Sequence, residues 1–153
     1  MIIKDLLTNP VLIYSAVAWA ITQGLKIIIY RFRNGEWDWH LITATGGMPS
    51  SHSAYTCSLA TAIALRDGVK SSLFVLATGL AIIVMTDAVG VRRATGNHAT
   101  ILNHILEKLF SGQPISEEKL KELLGHTPTQ VFVGALLGVL IPLIGMLWVW
   151  RGV

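Results

Sequence analysis

Residues 71–91 read SSLFVLATGLAIIVMTDAVGV, and the first sixteen of them carry no charge. A helix rises ~1.5 Å per residue, so roughly 20 such residues cross the ~30 Å hydrocarbon core of a bilayer. Val11–Tyr30 and Thr127–Trp150 have the same character. A fourth stretch, Ser53–Leu65, is shorter and reaches about 18 residues only if its helix begins near Pro49-Ser50-Ser51-His52. With 52% hydrophobic and 14% charged residues and a mean hydropathy of +0.58, the chain reads as an integral membrane protein. The expected fold is all-α: a membrane helical bundle of about four transmembrane spans plus amphipathic surface helices. Its 153 residues suit one domain over 1–153.

Connections support this order. Arg66-Asp67-Gly68-Val69-Lys70 is a short polar turn, which makes the second and third spans an antiparallel hairpin. Asn9-Pro10 is a start signal for the first span, and Asn34-Gly35 a turn after it. Lys4 is balanced by Asp5, so the N-terminal region lacks the basic stretch of a cleaved leader and reads as a retained span. Trp37, Trp39 and His40 fall at head-group depth, where amphipathic rings anchor; Glu36 and Asp38 face water. Pro49 suits the first turn of a helix, capped by Thr43 or Thr45. Ile101, Leu102, Ile105, Leu106 and Leu109 recur at helical spacing and predict an amphipathic helix lying on the membrane or against the bundle. Ser116-Glu117-Glu118-Lys119 opens a second, polar helix that stops near Gly125. Gly134-x-x-x-Gly138 offers the last span a small face for close helix contact, and makes a homo-oligomer reasonable.

The net charge of +3 does not point to nucleic acid, because no Lys/Arg stripe accompanies it; in a membrane protein it marks a cytoplasmic face or anionic head groups. Cys57, alone, forms no internal disulfide and reads as a small buried residue. No metal or cofactor is expected: His98 and His104, six apart, do not share a helical face. His104 and His126 read as surface or packing residues.

The alternation of spans brings the end of the first, the start of the second and the end of the third to one membrane surface. Lys26, Arg33, His52, Arg92 and His98 then converge there, and cations at that depth need a partner or a task. A phosphate fits. Guanidinium groups bind its oxygens bidentately, Lys supplies a point charge, and the free N–H groups around Ser50–Ser53 add donors at a helix start. Of two histidines, one can attack phosphorus while the other protonates the departing oxygen.

At these residues the chain resembles the superfamily of type 2 phosphatidic acid phosphatases and vanadium-dependent haloperoxidases, whose motifs are Lys-x6-Arg-Pro, Pro-Ser-Gly-His and Ser-Arg-x5-His-x3-Asp. Lys26 and Arg33 keep the first spacing, Pro49-Ser50-Ser51-His52 matches the second, and Arg92-x5-His98 the third. "GGMPSSHSA", "DAVGVRRATGNHATILN" and "LLGHTP" are similar to the divergent, haloperoxidase-related membrane branch, over nearly the whole chain. The resemblance implies a phosphohistidine on His98, His52 as general acid, and Lys26, Arg33 and Arg92 as the phosphate clamp with Ser51 behind it. Asn34, Ser51 and Val91 replace the proline, glycine and serine of the motifs, and Leu102 stands where the aspartate belongs. Asn103 is one residue late, and Asp87 can serve only if the fold returns it to the site.

The expected function is hydrolysis of a lipid phosphate or lipid pyrophosphate, with membrane lipids as partners. An eroded enzyme that only binds anionic head groups, and a small transporter subunit, are the alternatives. The Lys/Arg count puts the site on the cytoplasmic face. Asp87 is otherwise expected to pair with Arg92 or Arg93, and both arginines to anchor a span's end.

Overall fold

A computed structural model describes residues 2–42, 46–109 and 125–150. The described chain is helical, with no strand: α1 (Ile2–Leu7), α2 (Pro10–Asn34), a 3-10 turn at Trp39–Ile42, α3 (Ser51–Asp67), α4 (Ser72–Val89), α5 (Val91–Leu109) and α6 (Pro128–Trp150). The polar helix expected around 116–119 and the caps expected at Thr43 or Thr45 lie outside the described residues.

Local signals fix most boundaries. Asn9 caps α2, its Oδ1 accepting from the Val11 N–H at 3.0 Å, and Pro10 follows where a missing N–H costs nothing. Gly35, at φ 82°, ends the helix by donating to the Arg31 carbonyl. Ser71 caps α4 through Phe74 N–H at 3.2 Å. The start of α3 differs from expectation: Pro49 precedes the helix, and Ser50 is its cap, accepting from Ser53 N–H at 3.4 Å and from Ser53 Oγ at 2.9 Å. Pro49 is buried one residue before the cap, because the cap needs a side-chain oxygen and Ser50 supplies it.

Three helical stretches are long and apolar enough to cross a membrane: Pro10–Asn34, Ser72–Leu106 and Pro128–Met146. On α4, Val75, Leu76, Ile82 and Ile83 are more than half exposed, an apolar surface that only lipid covers without penalty. α3 is different. It packs against α2, α4 and α6 together, and its buried face carries Ser51, Ser53, Ala54, Thr56, Cys57, Ser58, Ala60 and Ala62. Enclosed by neighbours, it needs small residues for close approach rather than an apolar coat, so hydropathy understates it. It runs antiparallel to α2: Lys26 Nζ meets Ser51 Oγ at one end, and Arg66 Nη1 reaches Asn9 Oδ1, 3.4 Å away, at the other.

α6 lies parallel to α3, in direct backbone contact. A Cβ on Gly134 would land on the Ser50 carbonyl oxygen, and one on Gly138 would collide with the Ala54 carbonyl oxygen and come within 2.9 Å of Cys57 Cβ. The Ser50 N–H donates to the Gln130 carbonyl at 3.1 Å, tying the two helix starts together. Both glycines are therefore used inside the chain, and their spacing gives no ground for a homo-oligomer.

α5 begins at Val91, directly after Gly90, and among the described helices it packs on α4 alone. Gly96, Ala99 and Asn103 form its buried face, whereas Ile101, Leu102, Ile105 and Leu109 point outward. The amphipathic pattern thus turns toward the surroundings and not into the bundle.

Replacing Gly134 with Leu is expected to force α6 from α3, at the ~1–3 kcal/mol or more of an overpacked contact. Gly79, which has nothing within 4 Å of where a Cβ would stand, is the control. Thermal unfolding in detergent should show a clear loss of stability for Gly134→Leu and little change for Gly79→Leu; equal midpoints would mean that the α3–α6 contact is not tight.

Candidate functional site

The site lies where α2 and α4 end and where α3 and α6 begin. Lys26, eight residues before the end of α2, is only 2% exposed. A primary ammonium at that depth requires oxygen partners, and its Nζ donates to Ser51 Oγ at 3.2 Å. Ser51 stands in the first turn of α3, where backbone N–H groups have no intrahelical acceptor and the dipole is positive. The Lys26 ammonium and the helix start add their positive potential at one place, which suits an anion.

His52 follows on α3, half-buried. Its ring centroid is 6.4 Å from that of His126, with the planes tilted by 57°. His126 precedes α6, and its position is fixed from three directions. Its N–H donates to the Ala88 carbonyl at 2.9 Å, binding it to the end of α4. Its Nδ1 is 3.2 Å from Gln130 Oε1, and the same Oε1 accepts the Thr127 N–H at 3.0 Å. Because a backbone N–H can only donate, the atom facing it is the amide oxygen, and Nδ1 must then carry the ring proton. The lone pair of neutral His126 is left on Nε2. That atom is buried and makes no well-aligned hydrogen bond among the described residues, although the Gly47 backbone lies near the ring.

Burial holds the His126 imidazole below the usual histidine range; the Gln130 hydrogen bond and the Gly47 backbone oppose this, and the nearby Lys26 and His52 charges add to it. Near neutral pH the ring is therefore the free base.

His52 and His126 line a cavity of about 180 Å³ with Ile83, Val84, Asp87 and Ala88 of α4. One water needs only ~10–15 Å³ by this kind of measure, so a tetrahedral anion has room. The cavity joins polar groups at the helix ends to an apolar wall on α4. One of its wall residues, Ile83, is itself 66% exposed on the face turned to lipid.

Of the residues that the sequence singles out, His52 and Asp87 line the cavity, and Lys26, Ser50 and Ser51 are buried at the start of the helix that carries His52. Asp87 is returned to the site, and from α4. Arg33 is exposed, about 10 Å farther along α2 than Lys26 at ~1.5 Å per residue. It does not line the cavity, and neither does His98, which is exposed on α5. Asn103 is buried on α5 and Leu102 is exposed there. The Arg92 side chain lies outside the described residues. Near the end of α2, Arg31 lies over the Trp37 ring at 5.8 Å, and Trp37 stacks on Trp39 at 5.9 Å.

His126, expected as a surface or packing residue, and Gln130, which the sequence did not single out, both belong to the site. A signal existed: His126-x3-Gln130 has the His-x3-Asp spacing of the third motif with an amide for the acid, and Gly134 follows four residues later. Leu120, at the motif's arginine spacing before His126, hid it.

Comparison with known proteins agrees with this architecture. The uncharacterized membrane protein YuiD of Bacillus subtilis (strain 168) is 42% identical over 151 residues, covering 92% of this chain and 96% of the relative. No solved structure matches the chain. The model of the divergent PAP2 family matches residues 7–141, a stretch that runs from the start of the bundle through Lys26, His52, Asp87 and His126. The chain is a membrane protein of the divergent PAP2 family.

Proposed function

We propose that this protein is a membrane phosphatase that hydrolyses a lipid phosphate or lipid pyrophosphate at the cavity between α3, α4 and the start of α6. The observation that carries this reading is the pair of imidazoles, His52 and His126, facing one cavity beside the buried Lys26–Ser51 contact. Lys26 and the first-turn N–H groups of α3 hold the phosphate oxygens. The His126 Nε2 lone pair attacks phosphorus and forms a P–N bond. The P–O bond to the lipid breaks, its electron pair stays on the departing oxygen, and that oxygen takes the proton of His52. Water then attacks phosphorus and gives a proton to His52. The P–N bond breaks, and inorganic phosphate and free His126 are regenerated. The apolar wall of Ile83 and Val84 accommodates the first carbons of a chain whose remainder lies in lipid.

In this scheme His126 takes the nucleophilic role that the sequence reading gave to His98. Phosphate release by the purified protein, measured on phosphatidic acid and on a prenyl pyrophosphate, tests the assignment. His126→Ala is expected to abolish release, His52→Ala to lower kcat by about 10²–10⁴, and His98→Ala to leave turnover near the starting level. Lys26→Met should weaken inhibition by vanadate by about 10- to 100-fold, the range for a hydrogen bond to a charged group. Undiminished turnover in His126→Ala would remove it as nucleophile.

A second reading is favoured by Gln130, which places an amide where a carboxylate would stabilise an imidazolium. In that reading the same clamp binds anionic head groups without cleaving them. Binding of lipid phosphate with no release of phosphate by the wild-type protein would select it.

The site faces the cytoplasm, by the excess of Lys and Arg at its end of the bundle. The opposite end carries the Arg66–Lys70 turn, where Arg66 is bridged to Asp67 at 2.8 Å. Val69, 63% exposed in that turn, is a labelling position, and the native Cys57 is buried. A membrane-impermeant maleimide should label Val69→Cys on intact cells; labelling only after lysis would reverse the orientation.

A further inference from the structure

Asp87 has no place in the steps above, although it reaches the same cavity as both histidines. It projects from the last turn of α4, and two contacts fix that turn against the site. The next residue, Ala88, accepts the His126 N–H at 2.9 Å, and Cys57 Sγ donates to Met85 Sδ at 3.9 Å across the α3–α4 contact. Met85 and Ala88 are therefore held against α3 and His126, and Asp87 between them is half-buried at the cavity, whereas Thr86 faces outward. Among the described residues lining the cavity, Asp87 is the acidic one.

The charges around His52 define what that acid does. From α2, Lys26 contributes a cation. From the segment before α6, His126 contributes an imidazole kept neutral by burial, with Gln130 behind it as an uncharged amide. Among the described residues, none of α5 lines the cavity. A general acid must hold its proton near neutral pH, and Lys26 opposes a second positive charge close by. A carboxylate within the same cavity offsets that repulsion and favours the imidazolium. Two imidazoles in one site divide into acid and base when their surroundings differ in this way.

We infer that Asp87 is a positioning residue: its carboxylate, delivered from α4, keeps on His52 the proton that the departing oxygen takes. This rests on the reading of the cavity as a phosphate-transfer site, and it gives that site its acid from a helix other than the one that carries the nucleophile. Gln130 fixes the tautomer of His126, and Asp87 sets the protonation of His52.

The test is a pair of variants, Asp87→Asn and Asp87→Glu, prepared as the full chain in detergent micelles with isotope-labelled histidine rings. The NMR titration of His52 should move to lower pH by about 1 unit or more in Asp87→Asn, the size expected for losing a close opposite charge, and return in Asp87→Glu. In turnover, Asp87→Asn should lower kcat, and the alkaline limb of its pH profile should shift to lower pH, because His52 loses its proton earlier. Asp87→Glu should restore both. A merely structural role would lower activity with the limb in place. An unchanged His52 midpoint in Asp87→Asn overturns the inference, whatever happens to turnover. If the wild-type protein releases no phosphate, the phosphatase reading fails, and the His52 midpoint still decides whether Asp87 sets its protonation.

Discussion

Two missing side chains determine where everything else in this protein stands. At Gly134 and Gly138 the backbone of α6 lies directly on the carbonyls of Ser50 and Ala54, closer than any residue with a Cβ permits. Water-driven burial contributes little between helices in lipid, so contacts of this kind, with their van der Waals gain, supply the association. The consequence is registration. With α6 in register with α3, the Ser50 N–H finds the Gln130 carbonyl, and His126 falls beside His52 and under the end of α4. The site is a product of helix packing more than of any loop.

Enclosure of α3 follows from the same contact. A helix surrounded by α2, α4 and α6 can carry hydroxyl groups through the interior, since Ser and Thr bond back to the preceding turn. Thr56 does so to the His52 carbonyl at 2.9 Å, and on α2 Thr22 does so to Ala18 at 2.8 Å. Small polar residues thus serve close approach without leaving most of their hydroxyls unsatisfied. One end of this polar interior holds the Lys26 ammonium, which is costly in a bilayer unless an anion or oxygen donors meet it. The fold supplies Ser51.

Much of this was readable from residue order. Uncharged runs gave α2, α4 and α6, Asn9-Pro10 and Gly35 gave the ends of α2, and the Arg66–Lys70 turn gave the hairpin. The approach of Lys26 to Pro49-Ser50-Ser51-His52 followed from alternating direction alone. What was not readable depends on details that spacing does not carry. α3 is poor in apolar residues because it is enclosed, and nothing local to its sequence states who encloses it. The third motif has two partial copies: Arg92-x5-His98 keeps the arginine, whereas His126-x3-Gln130 keeps the part that faces α3. Sequence spacing favours the first. Only the contact of Gly134 with Ser50, made over 84 residues of chain separation, shows why the second reaches the cavity. Asp87, similarly, reads as an isolated charge at the end of a span until α4 is laid against α3.

In the proposed scheme, an amide at position 130 and a carboxylate at position 87 separate two tasks that a single aspartate could perform. An amide oxygen that already accepts the Thr127 N–H orients the imidazole and fixes its tautomer, and it brings no charge into a region of low polarity. A full carboxylate in that place would have to be desolvated beside the protein interior, at a cost that rises with burial. Half-buried Asp87 sits instead at the cavity wall. In the proposed scheme, chemistry depends on α4 as strongly as on α3 and α6, because a small outward movement of α4 removes the only negative charge lining the cavity among the described residues. In that scheme, lipid entering beside Ile83 bears on the same helix that carries Asp87.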